Sequence, residues 1–120
     1  MGKEINLLEN YPYSKRDISG RLALKTDEDR RIARSFGKDF FDGSRSHGYG
    51  GFSYDPRFWR PVAPVFQSHW NLKDGDSLLD IGCAKGFMLY DLQQLIPKLK
   101  ISGVDISEYA IANAKAEVKE

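Results

Sequence analysis

Asp80, Gly82, Ala84, Gly86 and Asp105 combine small size, negative charge and regular spacing. A turn of small residues lets a ligand approach the backbone and the N-terminus of the helix that follows, and a carboxylate ending the next strand can accept hydrogen bonds from two ribose hydroxyls. Asp105 follows Gly86 by 19 residues, close to the roughly 20 that separate such a turn from its acidic partner in nucleotide-binding α/β folds. The glycine spacing separates ligand classes. A dinucleotide fingerprint, G-x-G-x-x-G, read from Gly82 requires small residues at 84 and 87, and Phe87 fills the last place. No G-x-x-x-x-G-K-[ST] phosphate loop can be read anywhere in the chain. The pattern present is D-x-G-x-A-x-G, with Asp80 two residues before the first glycine. Cys83 lies in the same turn, where a thiol beside a helix N-terminus can be acidified; with no base identifiable beside it, it reads as small turn filler.

These residues need a scaffold, and the surrounding pattern supplies one. Ser77 to Ile81 is a short, largely apolar strand of the buried parallel type. Leu89, Leu92, Leu95 and Ile96 form a helical stripe that Pro97 ends, and residues 99–104 read as a second strand with Asp105 at its carboxyl end. Ser107 is a good N-cap for a helix over residues 108–118 whose inward face is Ala110, Ile111, Ala114 and Val118. The result is an α/β protein whose C-terminal part is the first βαβα unit of a Rossmann-like, doubly wound parallel sheet, with a right-handed crossover. Two parallel strands cannot cover both faces of their sheet, so the unit reads as truncated, either the N-terminal piece of a longer protein or a sheet completed by another chain.

At these residues a family resemblance becomes specific. Leu79-Asp80-Ile81-Gly82-Cys83-Ala84-Lys85-Gly86 resembles motif I of the class I, Rossmann-like S-adenosylmethionine-dependent methyltransferases, and Gly103-Val104-Asp105-Ile106-Ser107 resembles the acidic motif after their second strand. The resemblance implies a cofactor set of Asp80, Gly82, Cys83, Ala84, Gly86, Asp105 and Ile106. In it the small residues bound the methionine side, Asp80 holds the loop or the amino group through water, Asp105 takes the ribose diol and Ile106 packs on the adenine. Ala84 stands where the family usually has glycine. The match covers about residues 77–118, and the upstream run FFDGSRSHGYGGFSYDPRFW is similar to the lead-in of a subset of bacterial methyltransferases, in which an aromatic and glycine segment covers the cofactor.

That lead-in divides the chain into residues 1–76, a helical and loop cover, and residues 77–120, the start of the cofactor-binding domain. Thr26 followed by Asp27, Glu28 and Asp29 marks a helix N-terminus, and Ile32, Phe36 and Phe40 give one apolar stripe over residues 27–41, leaving Arg30, Arg31 and Arg34 on a wet face. From Asp42 to Pro61 the chain mixes glycines with Tyr49, Phe52, Tyr54, Phe58 and Trp59 and with Arg45, Arg57 and Arg60. That composition suits either a loop pinned by its own rings or a lid over a small anionic or zwitterionic ligand. In the lid reading Arg57 or Arg45 meets the methionyl carboxylate and Tyr54 or Tyr49 closes over it. A short helix runs from Pro61 to about Trp70, with His69 packed rather than catalytic, and residues 71–76 form a turn.

Composition bounds the remaining choices. Lys+Arg 18 against Asp+Glu 17 in 120 residues gives a net charge of +1, which offers no bulk attraction to nucleic acid or an anionic membrane. One cysteine and two histidines exclude an internal disulfide framework and a zinc cluster. The opening residues lack the apolar core of a secretory signal, and no stretch approaches the roughly 18 apolar residues of a membrane span, so a metal-free cytoplasmic protein is expected. The expected function is methyl transfer from S-adenosylmethionine to a small-molecule acceptor, with the chain inactive alone. No catalytic residue is identifiable from sequence. The alternative is a non-catalytic nucleoside-binding or assembly module that keeps the cofactor motif, and self-association is one route to a complete sheet.

Overall fold

The computed structural model of the chain describes residues 2–12 and 18–119. Strands β1 (Ser77–Ile81) and β2 (Lys100–Val104) pair in parallel, with Leu78 opposite Ile101 and Ile81 opposite Val104. Parallel neighbours need a crossover, and here it is the helix Phe87–Leu95, numbered α6 in chain order, whose C-terminal end is followed by Pro97. The βαβ unit therefore forms where the sequence places it, as the opening of a Rossmann-like α/β fold.

One face of the strand pair is covered. Leu78 and Ile101 pack against a core of Leu92 and Ile96 from α6 and its end, Leu99 before β2, and Val62, Ala63 and Phe66 at the start of α5 (Ala63–Trp70). Leu92, Leu99 and Val62 are almost wholly buried, each stabilising the fold by about 2 kcal/mol through loss of apolar contact with water. The core thus spans residue 76: the lead-in supplies half of it. The opposite face, where Leu79, Ile81 and Val104 project, is bare, and Ile81 is 80% exposed. Parallel strands are ordinarily covered on both faces.

Around this unit the helices are shorter than the periodicity predicts. The stripe from 27 to 41 is split into α2 (Asp27–Arg34) and α3 (Lys38–Asp42). The start is as expected, with the Thr26 hydroxyl accepting from Asp29 N–H and the Asp29 carboxylate accepting from Thr26 N–H, a reciprocal cap. The break falls at Phe36, which is left-handed at φ 49°, followed by Gly37, a poor helix former. Breaking there frees the Phe36 carbonyl to accept from the Ser107 hydroxyl, 71 residues on, a tertiary bond that an uninterrupted helix would forfeit. Arg30 and Arg31 pair with Asp27 and Glu28 on the surface, consistent with a solvated face.

Two further helices, α1 (Ile18–Leu24) and α4 (Pro56–Trp59), have no counterpart in the sequence reading. Asp55 caps α4 through Arg57 N–H, and Pro56 begins it. The helix expected over 108–118 is only α7 (Glu108–Ala112), followed by a separate 3₁₀ turn, Ala116–Val118. Lys115 N–H donates to the Lys85 carbonyl at 3.0 Å instead of continuing the helix, and this draws Val118 onto Gly86. A Cβ on Gly86 would lie 2.7 Å from the Val118 methyl, so glycine is required there for packing as well as for its φ of 77°.

Candidate functional site

The turn after β1 is tied to the end of β2. Gly82 and Cys83 N–H both donate to the Val104 carbonyl, at 2.7 and 3.1 Å. Ala84 N–H donates to one Asp105 carboxylate oxygen at 2.8 Å, and the other accepts from Ser107 N–H at 2.7 Å, so both ends of the site are fixed by one carboxylate. Each oxygen keeps a second lone pair, which leaves Asp105 able to accept from a diol while holding the turn. Gly82 and Gly86 have φ of 85° and 77°, and Ala84, where the resembled family has glycine, also sits left-handed at 50°. A methyl group in that conformation is strained by about 1 kcal/mol or more, partly offset by the smaller chain entropy of alanine in the unfolded state. Ala84→Gly is therefore expected to stabilise the chain by about 0.5 kcal/mol in urea unfolding.

The electrostatics of the turn are anionic. Burial pushes the Asp80 carboxyl up, and the neighbouring Asp105 charge pushes it further. The same burial raises the Cys83 thiol, with Asp80 and Asp105 adding to the rise, the opposite of the acidification that activates a cysteine. Its sulfur packs against β2: a Cβ on Gly103 would come within 2.7 Å of Cys83 Sγ, which is why the strand carries glycine there. Ile106 is 84% exposed beside Asp105, an open apolar surface at the carboxyl ends of the strands.

Lys85, the one cation within the turn, points away from this mouth. Its ammonium is buried and donates at 2.8 Å to both the Asp42 carboxylate and the Phe52 carbonyl, beneath the rings of Phe52 and Tyr109. Tyr109 also donates to Asp42, and Phe52 N–H donates to its other oxygen at 2.8 Å. Burial alone would raise the Asp42 carboxyl, but these donors outweigh it and hold it down at about 2. The network joins α3, the loop, the glycine turn and α7. Sequence reasoning missed it, since its partners lie 43 residues apart and only the lone lysine inside a small-residue turn hinted at it.

Arg57 and Tyr54, expected over the methionyl end, are engaged elsewhere. Arg57 pairs with Asp55 at 3.1 Å over the Phe58 ring, and Tyr54 donates to Asp91 of α6 at 2.6 Å. Neither lines the cavity of about 220 Å³ that Cys83, Ala84 and Gly86 share with β2, Leu89 and the chain after α7. Arg45, the other cation considered, donates to the Gly48 and Tyr49 carbonyls within its own turn. The structure thus brings Asp80, Gly82, Cys83, Ala84, Gly86, Asp105 and Ile106 to one end of the strand pair and leaves the arginines on the lead-in.

Asp91 is a second site the sequence reading passed over. It is 3% exposed, one oxygen has no hydrogen-bond partner, and burial pushes its carboxyl up against the opposing effects of Tyr54, Arg60 and Lys115. Its signal was a lone carboxylate four residues after Phe87 in the apolar stripe of α6. Burial and the hydrogen bond to Asp91 push the Tyr54 phenol up to about 12. With a folded value above the unfolded one, that bond contributes fully below about pH 10 and is lost as pH rises towards 12. Ultraviolet titration should show a tyrosine ionising towards pH 12, and Tyr54→Phe should remove that step.

Residues 72–120 match the family described as a methyltransferase domain. That stretch holds β1, the glycine turn, α6, β2, Asp105 and α7, so the similarity to a methyltransferase domain falls on the βαβ unit and its acidic strand end. No curated protein matches the chain. Among the described residues no helix is long and apolar enough to cross a membrane.

Proposed function

We propose that the chain binds S-adenosylmethionine at the carboxyl ends of β1 and β2 and takes part in methyl transfer to a small-molecule acceptor in the cytoplasm. The observation that carries this reading is the charge of the turn: two carboxylates, Asp80 and Asp105, flank a left-handed small-residue turn whose lysine is committed to Asp42. A pyrophosphate would be repelled there, whereas an amino group, a sulfonium and a ribose diol are all matched to carboxylates.

When bound, S-adenosylmethionine supplies an electrophilic methyl group on sulfur. The chain's part is to hold and orient it. Asp105 accepts from the ribose hydroxyls while its existing bonds to Ala84 and Ser107 keep the turn closed. Gly82 and Ala84 let the methionyl portion approach the backbone while Gly86, seated under Val118, turns the chain into α6, with Cys83 buttressing the turn from β2 and Asp80 facing the amino group. Ile106 offers its exposed side chain to the adenine. Arg57 and Tyr54 stay outside this set, given their partners. The bare face of β1 and β2 supports the reading that turnover needs further structure packed there.

A calorimetric panel tests the proposal. S-adenosylmethionine and S-adenosylhomocysteine should bind, and NAD and ATP should not; equal or tighter binding of NAD or ATP would overturn it.

A further inference from the structure

The segment after α7 returns to the glycine turn, and one side chain anchors it there. Lys115 N–H donates to the Lys85 carbonyl at 3.0 Å, inside the turn, and Val118 seats on Gly86. The Lys115 ammonium lies 4.1 Å from the ring centroid of Tyr90, on α6, and 4.9 Å from that of Tyr54, in the lead-in. These two rings meet edge to face, 5.1 Å apart at 84°, and form a corner. Glu117 closes a third side with a carboxylate oxygen at 3.1 Å, which leaves the Lys115 side chain 19% exposed. Tyr54 in turn donates to the buried Asp91 carboxylate at 2.6 Å, and a phenol that donates to an anion presents a more electron-rich ring to a cation. An ammonium against aromatic faces and partly withdrawn from water is held more strongly than one at an open surface.

We propose that Tyr54, Tyr90 and Glu117 form a cation cage whose occupant is Lys115, and that Lys115 thereby acts as a positioning residue for the methyl-donor site; the second half rests on the methyl-donor reading above. Lys115 acts through Lys85 and Gly86 and not by touching the donor. With the segment docked, the Lys85 carbonyl is held by Lys115 N–H while the Lys85 ammonium is held by Asp42, so the residue between Ala84 and Gly86 is fixed through both main chain and side chain. A turn ordered before the ligand arrives spares the ligand the cost of ordering it.

The test compares Lys115→Met, which keeps an unbranched apolar stem and loses the charge, with Lys115→Arg, which keeps the charge. In the ligand-free full chain, amide hydrogen exchange should show the protection factor at position 115 reduced about fivefold by Lys115→Met and kept within about twofold by Lys115→Arg. Tyr90→Leu, a second variant, should reduce it by a similar factor, and Lys115→Met added to Tyr90→Leu should reduce it little further. Unchanged protection in Lys115→Met, Lys115→Arg no better than Lys115→Met, or fully additive losses in the double variant would overturn the cage. S-adenosylmethionine, titrated by calorimetry, should bind Lys115→Met about fivefold more weakly than the parent chain and Lys115→Arg about equally. Unchanged affinity for Lys115→Met would overturn the positioning half alone. No binding to the parent chain, with the exchange results as expected, would overturn the methyl-donor reading and the positioning half with it, and leave the cage standing.

Discussion

Asp105→Ala is expected to weaken S-adenosylmethionine binding by about 2–4 kcal/mol, or roughly 30- to 1,000-fold in Kd. Two effects act in the same direction. The variant removes charge-assisted acceptors for the ribose hydroxyls, and it releases Ala84 and Ser107 N–H, which the carboxylate now holds at 2.8 and 2.7 Å. Asp105→Asn separates them: its carbonyl oxygen can still hold one N–H, so a smaller loss is expected than for alanine. A change for alanine of only a few tenths of a kcal/mol in calorimetry would remove the basis for placing a nucleoside here.

Lys85→Ala is expected to cost about 2–3 kcal/mol of stability in urea unfolding, below the ~3–5 kcal/mol typical of a fully buried ion pair because Asp42 is partly solvated. The loss should be shared with Asp42: a double-mutant cycle with Asp42→Asn should show coupling of about 1–2 kcal/mol. Acid gives an independent reading of the same network. The Asp42 carboxyl is held down at about 2 in the folded chain, so its contribution is complete above about pH 4 and is lost as pH falls towards 2, roughly 2 kcal/mol in all. Lys85→Ala should flatten that part of the acid profile. An unchanged profile, or a cost under about 0.5 kcal/mol, would mean the lead-in is not fastened to the glycine turn through this pair.

What was legible in the sequence was whatever local pattern decides. The bounds of β1, the N-cap at Thr26, the N-cap at Ser107 and the place of Asp105 at the carboxyl end of β2 follow from residue type and near spacing. Failures came where a distant partner outbid local preference. The stripe Ile32, Phe36, Phe40 continues through Gly37, but the chain breaks there to give Ser107 a carbonyl. The 108–118 periodicity yields to Lys115 bonding Lys85 and Val118 seating on Gly86. Tyr54 and Arg57, expected over the methionyl end, bond to Asp91 and Asp55 in this structure, and no spacing rule exposes the pairing of Tyr54 with Asp91 across 37 residues.

The most direct measurement is a titration of S-adenosylmethionine into isotopically labelled chain, followed by amide chemical shifts. Binding at the carboxyl ends of the strands should shift Asp80 to Gly86 and Asp105 to Ser107 first and most, with the resonances of 49–58 little changed. Absence of shifts at millimolar ligand, or shifts confined to 49–58, would contradict the placement of the methyl donor at the glycine turn.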